Sequence, residues 1–223
     1  MASAERPMAT TENPSRERIL ERVRNALRIP SYPPAVTPPR AVFPPIGDPL
    51  ERLKAECAAN KTELILATDE VSSAAAVESV LDPLPGGETF VQDAPDLRRM
   101  AASFTLPRNL RWSSEGGPSE TAQATITQAE FLVAATGSIL VSAACGGRGA
   151  SVIAPCHIVT AKLSQLVPDL EEAMARVRAS RIDSNNSFLC LVTGSSRTAD
   201  IEKILVLGAH GPRRLVLVLA TDR

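Results

Sequence analysis

Aromatic side chains are scarce in this sequence: one Trp, one Tyr and five Phe make up 3% of 223 residues. Single-stranded nucleic acids are held largely by stacking bases on such rings, and a net charge of −1 offers no basic surface to a phosphate backbone. Nucleic acid is therefore not an expected partner. Long apolar runs are missing too. No segment approaches the roughly 20 apolar residues that span a bilayer, so no membrane span is expected. The residues around Glu5 and Arg6 lack the apolar centre of a secretory leader, and a cytoplasmic protein is the expectation. Histidine occurs twice, as His157 and His210, and cysteine four times, as Cys57, Cys145, Cys156 and Cys190. Their spacing contains no C-x-x-C and no zinc or iron–sulfur pattern, so no metal site is expected and the thiols are read as reduced and unpaired.

Apolar residues make up 44%, enough for one sizeable core. Asn13-Pro14 is a cap followed by a first-turn proline, and Ile19, Leu20, Val23, Ala26 and Leu27 form a narrow apolar stripe among arginines and glutamates. Residues 1–29 are thus read as a tail and a helical arm, one face of which docks on the body or on a second copy. Eight prolines fall in the twenty residues Pro30 to Pro49, so residues 30–46 are read as an extended linker. Residues 47–223 form the domain.

Within it, helices are predicted from Asp48-Pro49 to Asn60, around Val71 to Val80, over Asp96–Ser103 and over Asp169–Ala179. Strands are predicted at Leu64–Leu66, Thr89–Val91, Leu110–Trp112, Ser138–Ala143, Ser151–Ala154, His157–Ala161 and Leu215–Ala220. Arg181–Ser187 is read as a loop. Alternation of this kind gives βαβ units and a mostly parallel sheet flanked by helices, a Rossmann-like α/β fold. The loop Cys145-Gly146-Gly147-Arg148-Gly149 permits close approach to a ligand. It is neither G-x-G-x-x-G nor a phosphate-binding loop, and a plain hairpin loop explains it more simply.

The segment most charged with chemistry is Phe188–Pro212. An apolar run, Phe188–Val192, reads as a buried strand. Thr193-Gly194-Ser195-Ser196-Arg197-Thr198 then turns, and Ile201, Ile204, Leu205 and Leu207 recur at helical spacing up to Gly208, placed as a helix C′ residue. Turns at the carboxyl ends of strands are where open α/β sheets place ligands. Free amides of a first helical turn, hydroxyls from Ser196 and Thr198, and the fork of Arg197 all suit a carboxylate or phosphate. The same Ser and Thr residues also serve as ordinary helix caps, and the local pattern does not separate the two readings. His157, starting an apolar run, reads as structural. His210, in a Gly-rich turn with Gly211, reads as an acid, a base or an anion ligand.

The string Thr193 to Glu202, with Gly208-x-His210-Gly211-Pro212 behind it and Ala134-Ala135-Thr136-Gly137-Ser138-Ile139 upstream, resembles the motifs of the lactate-utilization protein C family. The closing Thr221-Asp222-Arg223 resembles its tail, and the likeness covers roughly residues 50–223. Ser195 stands where a proline is common, and Ala135 where a glutamate is common. The resemblance implies a fold like that of the ribose-phosphate isomerase, sugar-phosphate deaminase and CoA-transferase superfamily. It also implies a part in oxidising L-lactate to pyruvate with iron–sulfur partner proteins. Lactate oxidation moves two electrons that side chains alone cannot hold, so the clusters are expected on the partners and no cofactor in this chain.

The expected site joins His210 and Asp200 as catalytic groups to Thr136, Gly137, Ser138, Arg148, Thr193, Gly194, Ser196, Arg197, Thr198 and Gly211 as binding groups. All of them are expected in one cleft at the carboxyl edge of the sheet, around a small anion. The alternative is a stand-alone isomerase or transferase acting on a phosphorylated or CoA-linked substrate.

Overall fold

Alternation of Leu and Val along residues 214–220 explains the architecture. A strand shows successive side chains to opposite faces. Leu215, Leu217 and Leu219 therefore join one buried cluster and Val216 and Val218 another. A strand buried on both faces must be central in a layered fold. The structure is a computed structural model and describes residues 14–29, 45–105, 107–198, 206–208 and 211–221. The expected linker lies largely outside these residues. The chain divides into two units, Met1–Val42 and Phe43–Arg223.

In the first unit, α1 (Pro14–Leu27) carries the apolar stripe, and none of its residues is buried. Ile19 and Leu27 stay 61% and 80% exposed.

The second unit opens with α2 (Pro49–Asn60). The Asp48 carboxylate accepts from the amides of Leu50 and Glu51, and Lys61 closes the helix in the left-handed conformation. Then follow β1 (Thr62–Ala67), α3 (Glu70–Leu81), β2 (Glu88–Val91), α4 (Pro95–Ala102), β3 (Asn109–Trp112) and β4 (Ala122–Gln128). The middle of the chain forms β5 (Phe131–Val133), β6 (Ser138–Ser142), β7 (Cys156–Lys162), β8 (Leu166–Val167) and α5 (Leu170–Ala179). After these come α6 (Ile182–Asn185), β9 (Leu189–Val192), β10 (Arg197–Thr198), β11 (Val206–Leu207) and β12 (Arg214–Ala220).

Six strands form one parallel sheet in the order β1-β12-β7-β4-β2-β3. Residues of α3 and α4 pack on one face with Val91, Ala124, Ile126, Ile158, Val216 and Val218. The other face meets Leu53 and Cys57 of α2 and a second, mixed sheet ordered β8-β5-β6-β9. Beyond that sheet, Ala173 of α5 packs with Val133 and Val167.

Four expectations change. The run Phe188–Val192 is a strand, but it lies at the edge of the small sheet, half-buried, with Leu191 40% exposed. Arg197–Thr198 is not a first helical turn. It pairs antiparallel with Val206–Leu207, so Leu207 is in a strand and Gly208, although at φ +77°, ends no helix there. Residues 199–205 lie outside the described residues. Ser151–Ala154 is not a strand: a 3-10 turn spans Arg148–Ser151 and irregular chain follows, because Pro155 cannot donate to a ladder. Arg181–Ser187, read as a loop, contains the short helix α6.

Candidate functional site

The motif residues 136–138 and 193–194 do converge. Because β6 runs antiparallel to β9, Ile139 pairs with Val192, and this brings Ser138 to Thr193. The Ser138 hydroxyl lies 2.7 Å from the Thr193 hydroxyl and 2.7 Å from that of Thr136. The two glycines of the turns lie against the C-terminal half of α2. Gly194, buried at φ +80°, would put a Cβ 2.1 Å from the Asn60 carbonyl oxygen. Gly137, at φ +64°, would put one 2.8 Å from the Glu56 Cβ. The Asn60 side-chain amide donates to the Thr136 carbonyl at 2.9 Å, completing the junction. Close approach to a helix, rather than room for a ligand, is what these glycines provide.

Ser196 belongs to a neighbouring junction. Its amide donates to the Pro212 carbonyl, its carbonyl accepts from the Gly208 amide, and Gly211 sits against its side chain. Arg197 is exposed. Asp200 and His210 lie outside the described residues.

Arg148 does not join this group. It donates to the Ser187 carbonyl at 3.2 Å and lies 5.5 Å from the Phe188 ring, beside the Ser142–Leu189 end of the β6–β9 pair. That is the opposite end from Ser138 and Thr193, on the order of 13 Å away along the strand. The expected location is also corrected. Gly194 abuts Asn60, which precedes β1, and Ser196 bonds Pro212, which precedes β12. The turn therefore stands at the amino edge of the parallel sheet. The rule about carboxyl ends failed because β9 is not a strand of that sheet.

At the carboxyl edge lies a cavity of about 330 Å³. Leu97 and Met100 of α4, Ala161 at the end of β7, and Val218 and Ala220 of β12 give it an apolar floor, and Gln128 and Thr160 add polar wall. Glu70 at the start of α3, Asp96 and Arg99 of α4, and Lys162 closing β7 make the rim. Asp96 holds the rim together: its carboxylate is 2.5 Å from Arg99 Nη2 and 3.3 Å from Lys162 Nζ. Glu70 Oε1 lies 3.4 Å from the same Arg99 nitrogen. Partial burial alone would raise the Asp96 carboxyl, but hydrogen bonds from Arg99 and Lys162 outweigh it and hold the group below its ordinary value. Asp96, with Glu70, raises Arg99 in turn.

None of these rim residues was foreseen in the sequence. Glu70, Asp96, Arg99 and Lys162 sit on three separate segments, and only the sheet order assembles them. The available signal was the long polar residue that closes a largely buried strand, Gln128 in β4 and Lys162 in β7.

His157 is buried and structural, as expected from its place at the start of an apolar run. Its Nε2 is 2.9 Å from the Thr127 hydroxyl, Nδ1 has no partner among the described residues, and burial depresses its pKa to about 4. Burial pushes the thiols of Cys57, Cys145 and Cys156 up to about 11. Cys190 is the least buried of the four. Among the described residues no three His, Cys, Asp or Glu side chains are grouped to hold a metal ion. The four cysteines therefore do not fit an iron–sulfur cluster. No described helix is long and apolar enough to cross a membrane.

Residues 118–220 match the LUD domain. The chain is 29% identical over 189 residues to a lactate utilization protein C of Bacillus subtilis, covering 77% of this chain and 78% of that one. It is 28% identical over 191 residues to a lactate utilization protein C of a Geobacillus species, covering 78% of both chains. In fold it is similar to the crystal structure of a DUF162 family protein from Deinococcus radiodurans. That similarity has a TM-score of 0.61 at 20% identity and covers 77% of this chain and 96% of the other. The LUD match begins just before β4, so it contains β7, β12 and the whole small sheet. Glu70, Asp96 and Arg99 of the cavity rim come from chain outside it.

Proposed function

We propose that this LUD-domain chain serves lactate utilization as a component that binds a small organic anion, while iron–sulfur partner proteins carry the electrons. The observation that carries this reading is the similarity to lactate utilization protein C across more than three quarters of the chain. The division of labour follows from the chemistry. Oxidation of a 2-hydroxy acid releases two electrons and two protons, and the dispersed, mostly buried cysteines offer no cluster site to receive the electrons. The glycine side of the turn is filled by α2, so the exposed Arg197, beside Ser196, is the group by which its outer side would hold a carboxylate or phosphate, with Asp200 and His210 as its acid–base pair. The exposed stripe of α1 is the surface through which copies of the chain would associate.

Disruption of the gene should abolish growth on L-lactate, and the intact gene should restore it. The purified chain alone should give no lactate-dependent dye reduction, and the activity should appear once co-purifying cysteine-rich iron–sulfur proteins are added. Unimpaired growth on lactate would overturn the reading. Turnover of a phosphosugar or a thioester by the pure chain would replace it with the isomerase or transferase alternative.

A further inference from the structure

We propose that the carboxyl-edge cavity bounded by Glu70, Asp96, Arg99 and Lys162 is a binding site for a monoanionic organic acid with an apolar body. This stands on the geometry of the cavity and not on the role in lactate utilization. The site is on the opposite edge of the parallel sheet from Gly194 and Ser196.

Open parallel sheets leave a crevice outside the carboxyl ends of their strands where the connections diverge. Here β1 leads through α3 to β2, four places along the sheet, so β12, β7 and β4 end beneath a gap between α3 and α4. The cavity fills that gap. Its volume of about 330 Å³ is at the small end of the roughly 300–1,000 Å³ of ligand pockets, which sets the size class.

The lining sets the chemistry. Val71, 78% exposed, and the half-buried Met100 and Ala220 line the cavity with apolar surface that is open to water. A bare inorganic anion would leave that surface uncovered, and an apolar body removes it from water. At the rim, one guanidinium nitrogen of Arg99 takes both Asp96 and Glu70, and the Lys162 ammonium has one carboxylate neighbour. Arginine has five N–H donors and lysine three, so donors remain on both for the oxygens of an incoming acid. Two carboxylates already balance the two cations. That balance opposes a polyphosphate and suits a single negative charge.

The test uses the full-length chain, isothermal titration, and L-lactate, hexanoate, benzoate and inorganic phosphate as probes. Hexanoate or benzoate should bind more tightly than phosphate. Lys162→Ala should weaken that binding about tenfold or more, since a hydrogen bond to a charged group is lost. Met100→Trp, filling the floor, should abolish it, and Lys54→Ala, on α2 away from the cavity, should leave it unchanged. Unaltered circular dichroism shows that each variant is folded. If Met100→Trp does not fold, Lys162→Ala decides alone. The assignment is overturned if none of the organic acids binds the wild-type chain at 10 mM. It is equally overturned if Lys162→Ala binds as wild type, or if Lys54→Ala weakens binding as much as Lys162→Ala does. The lactate reading is judged separately by growth, so either can fail without the other.

Discussion

The two edges of the parallel sheet show that local composition does not say where space for a ligand is left. At the amino edge, glycines, threonines and serines form a turn that looks built for a ligand, and the space is occupied by α2. At the carboxyl edge, four charged side chains with no motif among them surround an open cavity. Small residues next to a turn mean close approach, but whether a helix or a ligand does the approaching is decided by which sheet the strand joins.

The sharpest way to break this comparison is Gly194→Ala. The new methyl meets the Asn60 carbonyl at 2.1 Å, and the backbone is held at φ +80°. Backbone cannot yield as a side-chain tip can, so a loss of about 3 kcal/mol or more is expected in urea unfolding, or outright insolubility. Near-wild-type stability would show that the turn stands clear of α2, with room for a ligand.

Next in size is the acid response set by His157. Its folded pKa of about 4 lies below the ordinary 6.5, so the unfolded chain binds the proton more readily. Stability from this group is complete above about pH 6.5 and is lost as pH falls toward 4, by up to about 3 kcal/mol. Chemical unfolding at pH 7 and pH 4 measures it. In His157→Gln the difference between the two pH values should shrink by that amount, and an unchanged difference would mean that the ring is solvated.

A smaller effect is expected at the hydroxyl chain. Thr193→Val keeps the shape and removes the bond to Ser138, at a cost of about 1 kcal/mol. The smallest is at the other edge. Lys162 is 58% exposed, so Lys162→Ala should change stability by no more than about 0.5 kcal/mol while binding weakens about tenfold or more. Stability effects at Gly194 and Thr193 together with a binding effect at Lys162 would confirm the contrast. The reverse pattern would invert it.

Much of the layered fold was legible. Short apolar runs marked β1, β2, β3, β7 and β12, and Asp48-Pro49 marked the start of α2, because those signals are local. Pairing was not legible. Phe188–Val192 has the composition of a central parallel strand, yet it lies at the edge of the small sheet, and no residue of β9 is fully buried. At 197–198 and 206–207 the helical period of apolar residues lost to an antiparallel pairing, since Ile, Leu and Val fit both periods in a short stretch. Arg148 was grouped with the turn by its glycine-rich setting, and the direction of β6 carried it to the other end. The cavity rim was invisible because its charges meet only after β7 and α4 come together in space.

The position of β12 has a consequence for how the protein is made. It fills the slot between β1 and β7, pairing Thr62 with Leu215 across more than 150 residues. As the chain leaves the ribosome, β1 and β7 emerge with unpaired edges and an apolar groove between them, and no earlier segment supplies the missing strand. Such long-range closure slows folding, and bare strand edges invite association with other chains. Until residues 214–220 are synthesised, the nascent domain is a sheet in two pieces and a natural client for a chaperone.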